Sequence, residues 1–144
     1  MKQITLAFIK PDAFERREEI KAIYLERGLE IIAEKKLRMG KELAEEFYKE
    51  HRGSPHFGPN IVHNTSGSIL AMIICGEDAI YRVRKINGAT DPDKAEKGTL
   101  RWEYGTHNVV GPINPKNAVH ASDSAENARR EIRLLFGEKY CSSV

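Results

Sequence analysis

The sequence contains little cysteine, a single tryptophan and no long hydrophobic segment. Its two cysteines, Cys75 in an apolar run and Cys141 near a polar end, favour free thiols over a disulfide framework. The longest apolar runs, residues 4–9 and 69–75, are far shorter than the roughly 20 residues of a membrane helix. Lys10 and Asp12 interrupt the apolar start, which is untypical of a signal peptide. We therefore expect a cytoplasmic protein without a membrane span.

The chain also has no excess of charge of one sign. Its 23 basic and 21 acidic side chains leave a net charge of +2, which argues against a dedicated nucleic-acid partner. Hydrophobic residues at 40% and charged residues at 31% are ordinary for a globular protein and exclude a disordered or fibrous class. A length of 144 residues predicts one domain, residues 1–144.

Two phosphate-binding motifs are missing. The absence of a GxxxxGK[ST] motif excludes a P-loop. The absence of a GxGxxG motif means that nothing in the sequence indicates a dinucleotide-binding fold. The spacings of His51, His56 and His63 match no usual zinc pattern, and neither cysteine lies near them. We therefore expect no protein-held metal.

Strand and helix patterns alternate along the chain. Apolar runs and period-two patterns predict strands at residues 4–9, 29–38, 68–75 and 117–120. Helical spacing predicts helices at residues 18–27, 41–52, 77–87 and 124–136, the last with Asp123 as N-cap and Glu126 three residues on. Residues 53–67 read as irregular or short-helical and residues 89–116 as mostly turns. The patterns fit an α/β or an α+β fold, and periodicity alone does not decide between them.

The most informative stretch, NAVHASDSAENARRE, sets His120 between a strand and a helix among short hydrogen-bonding side chains. Most histidines are structural or exposed, but Glu131 falls at the margin of the last helix's apolar stripe and needs a partner there. A carboxylate that binds one imidazole nitrogen leaves the other free as a nucleophile. The alternative interpretation is that Glu131 forms a surface ion pair with an arginine of the same helix.

Basic residues stand at two further places. Lys10 ends the first strand, where ligands of sheet proteins often bind, although a lysine there can also be a solvent-directed charge. Arg84, Thr90 and Arg101 lie among glycines, and cationic forks with a hydroxyl suit polyphosphate. Each arginine taken singly is more often a solvated surface charge.

These pieces occur in a specific order: IKPDAF, a tyrosine in FYKEH, the GAT-DP turn, GTLR, and NAVHASDS before a capped helix. In this order, over nearly the whole chain, they closely resemble the nucleoside diphosphate kinase family. The resemblance implies a ferredoxin-like α+β domain with a four-stranded antiparallel sheet covered by helices. It also implies Mg²⁺-dependent transfer of the γ-phosphate from a nucleoside triphosphate to a diphosphate through a phosphohistidine, and an assembly of dimers into hexamers or, less often, tetramers.

The resemblance also implies roles for individual side chains. His120 resembles the nucleophile, with Glu131 fixing its ring, Ser122 supporting that glutamate and Tyr48 packed beside the histidine. The substrate-binding set comprises two residues for the sugar hydroxyls, Lys10 and Asn117, and three for the phosphates, Arg84, Thr90 and Arg101.

Three places depart from the family pattern, one of them residues 16–20, which lack the glycine-bearing turn expected before the first helix. Where the family stacks the base between an aromatic and an aliphatic side chain, this chain has His56 and Asn60. The interval 102–116 is longer than usual and is expected to change the pocket wall. The alternative function is a ferredoxin-like regulatory module with weak turnover that binds nucleotides or single-stranded nucleic acid. It is disfavoured because no aromatic pair of the RNP type lies on a predicted strand.

Overall fold

A four-stranded antiparallel sheet organises the computed structural model, which describes residues 1–143 and their side chains through residue 140. Cys141 therefore lies outside the described side chains, whereas Cys75 is a buried free thiol. The strands lie in the order β2–β3–β1–β4, with bounds β1 (Lys2–Ile9), β2 (Glu30–Leu37), β3 (Ile69–Glu77) and β4 (Val119–Ala121).

The helices connect these strands and cover the sheet. In chain order they are α1 (Arg17–Glu26), α2 (Lys41–Phe47), α3 (Phe57–Asn64), α4 (Ala79–Asn87), α5 (Leu100–Tyr104) and α6 (Ala125–Phe136). With α1 between β1 and β2 and α4 between β3 and β4, the chain follows a β-α-β-β-α-β path. This path and the all-antiparallel strand order define the ferredoxin-like α+β fold. No helix within residues 1–143 is long and apolar enough to cross a membrane.

The two central strands are buried on both faces. Along β1, Ala7 and Ile9 pack toward α1 and α4, while Leu6 and Phe8 pack toward α2 and α6. Because successive side chains point to opposite faces, a strand covered on both sides is an unbroken apolar run. This explains why the first strand reads ITLAFI instead of alternating.

Residues 41–64 form two short helices, and only the end of the first differs from the sequence-based prediction. The helix predicted over 41–52 ends at Phe47 and is followed by a short 3₁₀ turn, Lys49–His51. The segment read as irregular or short-helical contains α3, in spite of Gly58 and Pro59. Pro59 lies in the first turn, where a missing N–H breaks no helical hydrogen bond, and Ile61 is buried against the sheet. Packing therefore stabilises a helix that propensity disfavours.

The predicted N-cap of the last helix is wrong by one residue. Ser124 is extended, with φ −156°, and its hydroxyl accepts a hydrogen bond from the Asn127 amide at 3.1 Å. Asp123 accepts from the Asn127 side-chain amide instead, at 2.6 Å. Both residue types are good N-caps, so the backbone conformation decides which of them serves.

Candidate active site

A cavity of about 500 Å³ lies where the end of β1, β4 and the start of α3 meet. It is lined by ten of the eleven residues predicted for the site, namely Lys10, Tyr48, His56, Asn60, Arg84, Thr90, Arg101, Asn117, His120 and Glu131. The eleventh, Ser122, is buried behind Glu131. The fold thus brings together side chains that are up to 121 positions apart in the sequence.

His120 is held by one ring nitrogen. It lies opposite Phe8 in the β1–β4 register, and its Nε2 is 2.7 Å from Glu131 Oε1. The same carboxylate oxygen accepts a hydrogen bond from Ser122 Oγ at 2.8 Å. A carboxylate only accepts, so Nε2 carries the hydrogen in this contact, and a neutral ring then has its lone pair on Nδ1. No described residue is in hydrogen-bond contact with Nδ1.

Three aromatic rings fix the plane of the imidazole. Phe8 stacks on His120 with centroids 4.9 Å apart, and Phe47 meets it edge-on at 5.0 Å. Tyr48 stands edge-on at 6.2 Å, and its hydroxyl accepts a hydrogen bond from Asn64 Nδ2 at 2.9 Å. Burial, and secondarily the Glu131 carboxylate, raises the pKa of Tyr48. Its phenol therefore stays neutral at physiological pH and still has a hydrogen to donate.

Arg101 is anchored on backbone carbonyls rather than solvated. Its Nη1 donates to Gly88 O and its Nη2 to Val119 O, both at 2.8 Å. Gly88 has φ +89°, and a Cβ there would lie 2.5 Å from the Thr99 hydroxyl, so glycine is required. Burial lowers the pKa of Arg101 to about 10, with Arg84 contributing, so the guanidinium stays charged at neutral pH. It supplies a fixed positive charge to the cavity.

Lys10 is a buried amine without a carboxylate in direct contact. Its Nζ donates to Pro115 O at 3.2 Å and to Asn60 Oδ1 at 3.4 Å. Burial, with repulsion from Arg101, lowers the pKa of Lys10 to about 7. The amine is thus close to half protonated at neutral pH, before any anion enters the cavity.

Asn117 presents an unsatisfied acceptor. Its Nδ2 donates to Thr90 O at 2.8 Å, which fixes the amide plane. Among the described residues its buried Oδ1 has no hydrogen-bond partner. A buried polar atom without a partner is costly, and such an atom on a cavity wall is suited to receive a ligand's hydroxyl.

The long segment 102–116 contacts Lys10 through the Pro115 carbonyl, and its tryptophan lies elsewhere. Trp102 lies on a separate outer depression, where His107 binds both Asp93 Oδ1 and Trp102 O at 2.7 Å. Both partners accept hydrogen bonds, which favours the doubly protonated ring. The pKa of His107 is therefore raised, mainly by the Trp102 carbonyl and next by the Asp93 carboxylate. That this segment changes the pocket wall stays a prediction: its Pro115 carbonyl binds Lys10, but none of the residues 102–116 is among those that line the cavity.

His56 and Asn60 both line the cavity, but they are held differently. His56 is exposed at the start of α3, whereas Asn60 is half-buried. Asn60 donates from Nδ2 to His56 O at 2.9 Å and turns its Oδ1 toward Lys10. Asn60 therefore faces the cavity interior, and only His56 has a free, solvent-facing side chain.

Sequence reasoning missed several lining residues. No motif in the sequence pointed to Phe47, His51 or Arg130 as site residues, yet all three line the cavity. Arg130 donates to Phe47 O and approaches Glu131 Oε2 at 3.8 Å. The stacking of Phe8 under His120 depends on the β1–β4 register, for which the sequence carries no local signal.

The cavity defines the general class of protein. Three arginines and a lysine line it, against three carboxylates, one of which, Glu131, already binds His120 and Ser122. Fixed cations around an oriented imidazole suit a group-transfer enzyme that acts on a polyanion.

Comparison with known proteins identifies the family. The family model described as nucleoside diphosphate kinase matches residues 3–141. The nucleoside diphosphate kinase of Methanosphaera stadtmanae is 44% identical over 98% of this chain and 91% of its own length. That of Persephonella marina is 46% identical over 92% of this chain and 91% of its own length.

Solved structures agree with the sequence relatives. The Aquifex aeolicus nucleoside diphosphate kinase superposes with a TM-score of 0.85 at 39% identity, covering 94% of this chain and 96% of that one. The Halobacterium salinarum enzyme, solved in complex with CDP, gives 0.85 at 34% identity and covers 96% and 90%. This chain belongs to the nucleoside diphosphate kinase family. It is a phosphotransferase with nucleoside diphosphate kinase activity, and the alternative of a binding module is not favoured.

The environment of Lys10 predicts that nucleotide binding takes up a proton. At about pH 8 the free amine is mostly neutral because its pKa is about 7, and a polyphosphate in the same cavity stabilises the ammonium form. Calorimetric titration with a nucleoside diphosphate at pH 8, in two buffers of different ionisation enthalpy, should show net proton uptake and an affinity that rises as the pH falls toward 7.

Two controls make this test specific. In Lys10→Arg the side chain stays charged, so the heat should no longer depend on the buffer. Below about pH 6 the uptake should disappear in the unmodified protein as well, because Lys10 is already protonated. Equal heats in both buffers at pH 8 for the unmodified protein would contradict the prediction.

Proposed function

We propose that His120 is the residue that carries the phosphoryl group, through Nδ1. One observation supports this most directly: Nε2 is bound to Glu131, so Nδ1 is the nitrogen left available on an imidazole that lines the cationic cavity. The Glu131 carboxylate fixes the tautomer and stabilises the positive charge that the ring acquires when Nδ1 is phosphorylated. Ser122 orients the carboxylate in turn.

Each half-reaction is a displacement at phosphorus. The Nδ1 lone pair attacks the γ-phosphorus of a nucleoside triphosphate, an N–P bond forms, and the bond to the β,γ-bridging oxygen breaks. The electron pair leaves on the nucleoside diphosphate. In the second half-reaction a terminal phosphate oxygen of another diphosphate attacks the same phosphorus, and the N–P bond breaks. The reaction is controlled mainly by positioning and by charge stabilisation.

The residues of the cavity walls supply both the positioning and the charge stabilisation. We assign Arg84, Thr90 and Arg101 to the phosphates, and Lys10 and Asn117 to the sugar hydroxyls. Arg101 is anchored by two carbonyls, so its charge is in place before the nucleotide binds. The unsatisfied Asn117 Oδ1 is an acceptor for a hydroxyl. The Tyr48 phenol, kept neutral by burial, is a donor beside the imidazole.

Mg²⁺ is proposed as the cofactor, held mainly by phosphate oxygens of the nucleotide. Among the side chains described, through residue 140, no group of three metal-ligating residues occurs. Mg²⁺ bound through substrate phosphates usually retains several waters. The donors left for its hydrated shell are Glu50 and Asp123, which line the cavity and share the Asn127 amide. The ion supplies neutralisation of charge on the transferring phosphate.

Assembly and location complete the proposal. The assembly is proposed because the chain belongs to the nucleoside diphosphate kinase family. We propose a homo-oligomer, with a hexamer favoured over a tetramer. We also propose that it acts in the cytoplasm on nucleoside di- and triphosphates.

Replacing the nucleophile tests the central assignment. His120→Ala should abolish both labelling by γ-labelled ATP and transfer of the label to GDP, because no other described histidine combines a buried carboxylate, a supporting hydroxyl and a place on the cavity wall. The label on the unmodified protein should be acid-labile and base-stable. Acid-labile labelling that persists in His120→Ala would refute the assignment.

Glu131→Gln tests the orienting carboxylate. The amide oxygen can still accept from His120 Nε2, but it no longer stabilises a positively charged ring. We expect the fold to be retained and phosphoenzyme formation to slow by roughly ten- to a thousandfold, as for a weakened partner of a catalytic group. Rapid-quench measurement of the label checks this, and an unchanged rate would reduce Glu131 to a structural role.

His56 and Asn60 predict an uneven choice of bases. An apolar sandwich stacks on every base, whereas an imidazole and an amide also donate and accept hydrogen bonds and so discriminate. The double variant His56→Phe with Asn60→Leu should flatten kcat/KM across purine and pyrimidine diphosphates and raise affinity. Because only His56 faces solvent, the Asn60→Leu single variant should account for most of the change. Identical selectivity before and after substitution would exclude this role.

A further inference from the structure

A buried pair of side chains outside the cavity, Asp12 and His63, supports the segment that carries the nucleophile. His63 Nε2 lies 2.7 Å from Asp12 Oδ1, and both side chains are less than a tenth exposed. Neither residue lines the cavity. A carboxylate and an imidazole buried together without contact to substrate require another explanation.

The second oxygen of the carboxylate points to that explanation. Asp12 Oδ2 accepts a hydrogen bond from the Ala118 amide at 3.0 Å. The Ala118 carbonyl accepts from the Lys10 amide at 2.8 Å. The turn that follows β1 therefore binds Ala118 through both of its peptide groups, while His63 fixes the carboxylate from the other side.

Ala118 needs such support because its backbone is strained. It has φ +71°, and the Val119 amide donates to Asn117 O at 2.8 Å, which makes Ala118 the centre of a γ-turn. The γ-turn with positive φ is the rare and strained form, and a non-glycine residue keeps it only where the surrounding structure holds it. Ala118 is also completely buried, so solvent does not stabilise this conformation.

The turn determines where three functional groups lie. On one side of it is Asn117, whose Oδ1 is the unsatisfied acceptor. On the other side are the Val119 carbonyl that binds Arg101, and His120 itself. If Ala118 relaxed to negative φ, the peptide on each side would rotate and these groups would leave their positions.

We propose that His63 is a positioning residue: through Asp12 it holds Ala118 in the strained γ-turn that aligns Asn117 and His120 with the nucleotide. The inference rests on the roles proposed for His120 and Asn117. It assigns no contact with substrate to His63, which acts only through the carboxylate. We therefore expect the effects of substitutions at residues 63 and 118 on kcat/KM to be coupled.

A double-substitution cycle measures that coupling. His63→Phe keeps a buried ring but removes the donor, and kcat/KM for phosphate exchange should fall roughly ten- to a hundredfold, the scale of a small misplacement of catalytic groups. Glycine adopts positive φ without strain, so Ala118→Gly in the His63→Phe background should restore most of the loss. In the unmodified protein Ala118→Gly should change kcat/KM by less than about threefold, so the two effects are not additive.

Three further measurements separate positioning from packing. His63→Gln retains an N–H donor and should keep most of the activity. Ile61→Val, a buried change in the same helix, should lower the melting temperature while kcat/KM stays unchanged. The rate of phosphohistidine formation at saturating ATP should follow kcat/KM in every His63 variant, because the position of His120 is affected and not nucleotide affinity alone.

The outcomes are distinguishable. A His63→Phe protein with the activity of the unmodified one, or an additive loss in the double variant, would overturn the inference. If His63→Phe does not fold, the same cycle with His63→Ala decides the question by the same criterion. His120→Ala is measured in parallel: if it stays active the proposed function fails, whereas an inactive His120→Ala with an additive cycle refutes the role of His63 alone.

Discussion

A buried carboxylate must have partners, and in this protein the requirement of Glu131 determines the geometry of the cavity. Removing an ion from water costs several kcal/mol unless hydrogen bonds compensate. The compensation comes from His120 Nε2 and Ser122 Oγ, both on the same oxygen. Because α6 carries Glu131 and the β4 end carries the other two, the helix and the strand are linked through the contact that also sets the tautomer of the histidine.

The end of β1 is the second determinant of the site. Phe8 supports the imidazole, Lys10 places its amine in the cavity, and Asp12 holds the Ala118 amide. One continuous stretch of five residues thus contacts His120, the cavity and the strained turn. The strand itself is buried on both faces, so its position is rigidly fixed by the core.

The cations of the free cavity repel one another, and a bound polyanion would balance their charge. Burial and repulsion from Arg101 lower the pKa of Lys10, and burial and repulsion from Arg84 lower the pKa of Arg101. An incoming phosphate relieves this repulsion, so part of the binding free energy comes from a strain that exists in the free protein. The walls also keep their cations in place through carbonyl contacts, as for Arg101 at Gly88 and Val119. Little reorganisation is then needed when the nucleotide binds.

The strand and helix periodicities and the order of the motifs could be predicted from the sequence, and the family resemblance added the fold and the candidate residues, ten of which line one cavity. These are encoded locally, in apolar spacing and in short segments such as NAVHASDS. Three features could be seen only in the folded chain: Phe8 lies under His120, the Pro115 carbonyl binds Lys10, and His63 binds Asp12. The tertiary structure also moved the cap of α6 to Ser124 and formed α3 around Gly58 and Pro59. The physical reason is common to all of these: each depends on strand register or on burial, which join residues distant in sequence and outweigh local propensity.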